Sequence, residues 1–143
     1  ERRAVVIETA RRLSGRGIDV LKAEFPLDIR EEPRRGEWEA ACRELTAASA
    51  VPWVLLSGGI SFKEFRQQTE IACRCGASGV VVGRGVWQEA AELHNQAHDE
   101  FLAKTAVDRL VELGDLISEY GTPWTKYHPS PGEDVGEFWY EKY

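Results

Sequence analysis

The chain contains no methionine, although it has 143 residues. Translation begins on methionine, so a chain that opens Glu1-Arg2-Arg3 is expected to be processed or cut from something longer. It also opens inside a helical pattern with no capping residue, which adds to that expectation. Cysteine is scarce. Cys42, Cys73 and Cys75 are odd in number and at no framework spacing, which excludes a disulfide-stapled scaffold and suits a reducing cytoplasm. No apolar run approaches the length of a membrane span, so no membrane role is expected, and the N-terminus is charged rather than signal-like. Basic charge is not in excess. Eighteen Lys and Arg face 24 Asp and Glu, a net charge of -6. That argues against nucleic acid as a partner, because such binders carry a basic face.

The length suits one domain with a real core. Val5, Val6, Ala10 and Leu13 give residues 1–14 a helical period, which Ser14-Gly15-Arg16-Gly17 ends. Residues 18–25 read as a strand closed by Pro26. Residues 28–36, with three Arg and two Glu, read as a solvated loop. Residues 37–48 form a second helix with Trp38, Ala41, Cys42 and Leu45 on one stripe. Pro52-Trp53-Val54-Leu55-Leu56-Ser57 is continuously apolar, as strands buried on both faces are. Ser61 and Glu64 stand at capping-box spacing ahead of a helix that Gly76 closes. Ser78-Gly79-Val80-Val81-Val82-Gly83 is a third strand. Helix resumes at Val86, and a longer helix is expected over residues 99–120. Residues 121–143, rich in Pro, Gly and aromatics, are expected to be irregular.

Strands alternating with helices predict a parallel α/β sheet with right-handed crossovers. In such folds ligands bind at the carboxyl edge of the strands. Three features stand there. Lys22 lies in the first strand, where a buried ammonium is costly and therefore needs a counter-charge, a route to water or a task. A desolvated lysine loses its proton more readily, and the neutral amine can form a Schiff base. Its bland reading is a side chain that snorkels to solvent. Ser57-Gly58-Gly59 ends the second strand and Gly83-Arg84-Gly85 the third. Each alone reads as a tight βα turn. Together they read as a paired anion site, with backbone N–H groups able to approach the ligand and Arg84 able to clamp it. Alternation places Val20, Lys22 and Glu24 on one face. Glu24 is then the expected ion-pair or proton-transfer partner of Lys22.

Other signals are weaker. His94 and His98 share a helical spacing but lack a third ligand and the glutamate of a zinc motif, so no metal is expected. Cys73-Arg74-Cys75 has neither redox nor zinc spacing. The ending Phe138-Trp139-Tyr140-Glu141-Lys142-Tyr143 is expected to pack back on the domain or to meet a partner.

Three blocks carry a family resemblance: Asp19-Val20-Leu21-Lys22-Ala23-Glu24-Phe25-Pro26; Val51-Pro52-Trp53-Val54-Leu55-Leu56-Ser57-Gly58-Gly59; and Cys75-Gly76-Ala77-Ser78-Gly79-Val80-Val81-Val82-Gly83-Arg84-Gly85-Val86-Trp87. They resemble the class I tagatose-1,6-bisphosphate aldolases, and the sulfofructose-phosphate aldolases are similar at the same places. Gly121-Thr122-Pro123-Trp124 also resembles the family's C-terminal region.

The resemblance implies an α/β fold, a (β/α)8 TIM barrel. This chain would be a partial barrel holding about three parallel strands and their flanking helices. Residues 1–143 would form a single domain, with strands six to eight in residues 1–98 and the C-terminal helix and aromatic tail in residues 99–143. It implies Lys22 as the Schiff-base lysine. It implies Ser57, Gly58, Gly59, Gly83 and Arg84 as the substrate phosphate site. No cofactor and no metal are expected, the partner is a small sugar phosphate, the full-length protein is expected in the cytoplasm, and its oligomeric state stays open, a homo-oligomer among the options. The implied reaction splits a ketose phosphate such as tagatose 1,6-bisphosphate into dihydroxyacetone phosphate and an aldehyde. Three departures accompany it. The family's catalytic glutamate lies on an earlier strand that this chain lacks. Gly59 and Gly85 stand where relatives often carry alanine. The ending over residues 127–143 is longer than usual. A full barrel takes about 250 residues, so the chain alone is expected to be inactive. The alternatives are a non-catalytic sugar-phosphate-binding regulator on the same scaffold, and a phosphate-binding barrel isomerase or lyase in which Lys22 is only a charge.

Overall fold

A computed structural model describes residues 1–128. Helix α1 (Arg2–Leu13) leads into strand β1 (Leu21–Ala23). Helix α2 (Arg35–Ala48) connects it to β2 (Trp53–Leu56), and α3 (Phe62–Arg74) connects β2 to β3 (Gly79–Val81). The strands form one sheet in the order β1-β2-β3 and both pairings are parallel. Lys22 stands level with Val54, and Val54 with Gly79.

The period of two decides what is covered. Leu21, Ala23 and Phe25 alternate inward with Trp53 and Leu55, and helices bury that face around Leu45, Phe65 and Ile71. Val20, Lys22, Glu24 and Val81 are exposed on the opposite face, beside half-buried Val54 and Leu56. Two expectations change here. β2 is buried on one face rather than both, and Lys22 is exposed rather than buried. The helices cover a single side of the sheet, and the described residues place nothing over the other.

Local chemistry holds the layers in place. Ser61 caps α3 with the predicted capping box, its hydroxyl accepting from the Glu64 N–H while the Glu64 carboxylate accepts from the Ser61 N–H. The Thr46 hydroxyl accepts from Trp53 Nε1 at 2.9 Å and donates to the Cys75 carbonyl at 2.6 Å. It thereby ties α2 to β2 and to the end of α3. Gly76 packs directly on that threonine. A Cβ there would stand 2.6 Å from Thr46 Cγ2, and its φ of +113° is one that only glycine adopts readily.

After β3 come a short helix α4 (Arg84–Trp87) and a 3₁₀ turn over Gln88–Glu92. Helix then runs without a break from α5 (Asn95–Glu100) through a π-helical segment (Phe101–Ala106) into α6 (Val107–Tyr120). It begins four residues before the expected 99. Leu113 and Leu116 of α6 are buried, and Arg66 of α3 pairs with Glu112. Beyond α6 the Thr122 N–H donates to the Ala77 carbonyl at 2.9 Å, and His128 Nε2 lies 2.8 Å from the Asp19 carbonyl. Up to residue 128 the chain therefore passes along the amino edge of the strands, and among the described residues this segment does not cross the carboxyl edge. The expected aromatic ending lies outside the described residues. No helix among them is long and apolar enough to cross a membrane.

Candidate active site

The carboxyl edge is shaped by how each strand ends. β2 runs into Ser57, which is nearly buried, and the chain then turns at Gly58 and Gly59 with φ of +60° and +77°. Two successive left-handed residues reverse the chain at once, and glycine allows this without strain. β3 ends one residue short of Val82, and Gly83 leads directly into α4 at Arg84.

An open concavity of about 360 Å³ joins these ends to the free sheet face. Lys22, Ser57, Gly58, Gly83 and Arg84 all line it. Gly59 does not. It lies under Arg84, where a Cβ would come within 3.2 Å of the guanidinium carbon. The second loop touches the first again at Gly85, where a Cβ would come within 3.2 Å of Ser57 Cβ. Small residues at 59 and 85 thus let the two loops close on each other. Residues 58 and 83 present backbone to the concavity, and Arg84 adds a guanidinium.

Neither Lys22 nor Arg84 makes a side-chain hydrogen bond or ion pair among the described residues. Glu24 shares the open face with Lys22, yet its carboxylate pairs with Arg2 at 3.0 Å. The expected Lys22–Glu24 pair is not formed. Arg2 begins α1 and stands at the same edge of the sheet, and it takes that carboxylate first.

Leu56, Val81, Val82 and Trp87 complete the lining. They escaped notice in the sequence, although alternation from Lys22 and the pairing of the strands point to Leu56 and Val81. Behind the loops, Arg109 of α6 reaches Glu89 and the Val86 carbonyl. No local pattern marked it. His98 pairs with Asp99 at 2.9 Å, and the described residues hold no cluster of three metal-ligating side chains. Cys42, Cys73 and Cys75 are buried and free. Burial pushes their thiols up, Cys73 to about 11. They are inert rather than nucleophilic.

Residues 1–89 match the model of the DeoC/LacD family aldolases. Among curated proteins, tagatose 1,6-diphosphate aldolase 1 of Streptococcus pyogenes serotype M3 is 31% identical over 125 residues. Tagatose 1,6-diphosphate aldolase 2 of Streptococcus mutans serotype c is 28% identical over 125 residues. Each alignment covers 77% of this chain and 38% of the relative, so the chain spans well under half the length of the relatives it matches. The matched stretch includes Lys22, both glycine loops and Arg84, and on it the chain belongs to the DeoC/LacD aldolase family.

Proposed function

We propose that the chain supplies the Schiff-base lysine and the anion grip of a class I ketose-phosphate aldolase. In this reading β1, β2 and β3 are the last three strands of a (β/α)8 barrel, and the open sheet face is the barrel's interior. The observation that carries it is the shared concavity of Lys22 and Arg84 with the Ser57–Gly58 and Gly83 backbone. An amine and an anion-binding group in one cavity suit a substrate with a ketone near a phosphate. The names of the aligned relatives support tagatose 1,6-bisphosphate as that substrate.

The chemistry follows from the amine. Neutral Lys22 adds to the ketone carbon, and loss of water leaves an iminium. A base takes the proton of the hydroxyl on the far carbon of the bond to be cut. That C–C bond breaks, its electron pair neutralises the iminium to an enamine, and the aldehyde departs. The enamine carbon then takes a proton, and water hydrolyses the iminium to dihydroxyacetone phosphate and free Lys22. Arg84 and the two loops hold the phosphate so that the carbonyl carbon stays near the amine. Burial of Lys22 and the base itself fall to strands outside these 143 residues.

Borohydride added to the intact polypeptide with a ketose phosphate should reduce the iminium and leave a stable adduct, which peptide mass mapping should find on Lys22. Cleavage of the sugar phosphate with Lys22 unlabelled would overturn the reading.

A second reading is a sugar-phosphate-binding regulator that performs no cleavage. The exposure of Lys22 and the commitment of Glu24 to Arg2 favour it for the chain alone. Phosphate-ester binding that survives Lys22→Ala, with no turnover in the wild type, would select it.

A further inference from the structure

We propose that Arg109 is a positioning residue that holds the two anion loops in register from behind. The inference rests on the phosphate-grip reading of those loops and adds a residue to it. Arg109 stands in the first turn of α6 and its side chain is 17% exposed. Nη1 donates to the Val86 carbonyl at 2.8 Å, and Val86 lies two residues after Arg84 in α4. Nη1 and Nη2 also donate to the two carboxylate oxygens of Glu89 at 2.8 and 2.7 Å. The guanidinium carbon sits 4.8 Å from the ring centre of Phe62 and 5.2 Å from that of Phe101.

These partners belong to different segments. Phe62 is the first residue of α3, directly behind the loop that starts at Ser57. Val86 and Glu89 lie directly behind the loop that carries Arg84. One cation therefore contacts both loops' trailing elements. α4 is a single turn, and Arg109 gives its end carbonyl a charged donor. Hydrogen bonds to charged groups and cation–π contacts are each worth more than their neutral equivalents, most of all when largely desolvated.

The π-helical segment brings Arg109 to this place. In an unbroken α-helix at about 3.6 residues per turn, Phe101 and Arg109 would point about 80° apart. A π-helical residue turns through a smaller angle, so the six residues Phe101–Ala106 narrow that gap. Phe101 and Arg109 then meet on one side of the helix. Such insertions recur at functional sites in other helices.

The test uses Arg109→Ala, Arg109→Lys and Glu89→Gln in the intact polypeptide. Arg109→Ala should raise KM for a sugar phosphate, and Kd for inorganic phosphate, by about ten- to hundredfold with kcat changed by less than about threefold. Arg109→Lys and Glu89→Gln should fall between it and the wild type. Amide hydrogen exchange over residues 84–87 should speed up in the same order, with exchange in β2 and α3 unchanged. A KM shift together with faster exchange confined to α4 supports positioning. Wild-type exchange and wild-type KM in Arg109→Lys and Glu89→Gln would overturn it, and so would a uniform rise in exchange across the fold. Should the wild type neither bind nor cleave a sugar phosphate, the functional reading fails instead, and the exchange pattern alone still decides whether Arg109 orders α4.

Discussion

The guanidinium of Arg84 lies on the backbone of Gly59, so close that a methyl group there would stand 3.2 Å from its central carbon and 3.3 Å from one terminal nitrogen. The two residues sit on loops from different strands. Their contact, with that of Gly85 on Ser57, sets how far apart the two halves of the anion grip can be. A glycine at 59 sets where the arginine rests.

Gly59→Ala should therefore move Arg84 outward by a few tenths of an ångström. The substitution also places a Cβ at a φ of +77°, a conformation that costs an L-residue about 1–2 kcal/mol. The flexible arginine tip can relieve the close contact, while the backbone cost remains. The expected result is about a threefold to tenfold weaker affinity for inorganic phosphate and a loss of about 1 kcal/mol in stability. Phosphate titration calorimetry and urea unfolding measure the two separately. Unchanged phosphate affinity would show that Arg84 does not read the position of residue 59.

Lys22→Arg separates chemistry from charge. Arginine keeps the positive charge on the open face but stays protonated and forms no iminium. The variant should lose borohydride trapping altogether and lower kcat at least about 10³-fold, while phosphate affinity stays within about threefold. Cleavage at near wild-type rate would leave Lys22 an electrostatic role only.

Local signals made much of the fold legible. Serine and glutamate at capping-box spacing located the start of α3, and paired glycines located the turns that end β2 and β3. Long-range pairings were not legible in the same way. A continuously apolar run such as Trp53–Leu56 reads alike whether one face or both are covered, so the exposure of the Lys22 face depended on what stands opposite the sheet. Glu24 was near Lys22 by alternation, yet Arg2 of α1 is brought to the same edge by the fold and takes its carboxylate. β1 is shorter than its apolar pattern because, among the described residues, only Leu21–Ala23 pair with β2. The π-helical segment replaces i→i+4 with i→i+5 bonding and carries no residue signature, so Arg109 surfaced only through its contacts with Phe62, Val86 and Glu89.

Gly76→Ala tests the anchor behind the sheet. The added Cβ would meet Thr46 at 2.6 and 2.8 Å, and Thr46 is pinned by its bonds to Trp53 and Cys75. The φ of +113° adds strain that repacking cannot remove. A destabilisation of about 2–4 kcal/mol is expected in urea unfolding. Adding Thr46→Ser removes the Cγ2 clash, keeps the hydroxyl bonds and should restore only part of that loss. Full recovery in the double variant would assign the whole effect to the clash and none to the backbone.

The charged loop between β1 and α2 should respond to acid in a defined window. Asp28 accepts from the Arg30 side chain at 2.7 and 2.9 Å and from its backbone N–H at 3.0 Å, and Arg34 makes the same three bonds to Glu32 at 2.7, 2.8 and 3.0 Å. The arginine beside each carboxyl lowers it, Asp28 from an ordinary 3.8 to about 2 and Glu32 from 4.5 to about 2. Lowered values in the folded state mean that each contribution is fully present above the unfolded pKa and disappears as pH falls through about 2. The window is therefore roughly pH 4.5 to 2, well below neutrality. Each arginine is exposed and each carboxylate half-buried, so added salt should weaken the arginine's hold and move each midpoint upward. Carboxyl carbon shifts followed by NMR should titrate near pH 2 in low salt for these two residues. Arg30→Gln should return Asp28 towards 4 and leave Glu32 unmoved. A wild-type Asp28 midpoint near 4 in low salt would show that the Arg30 clasp does not persist in solution.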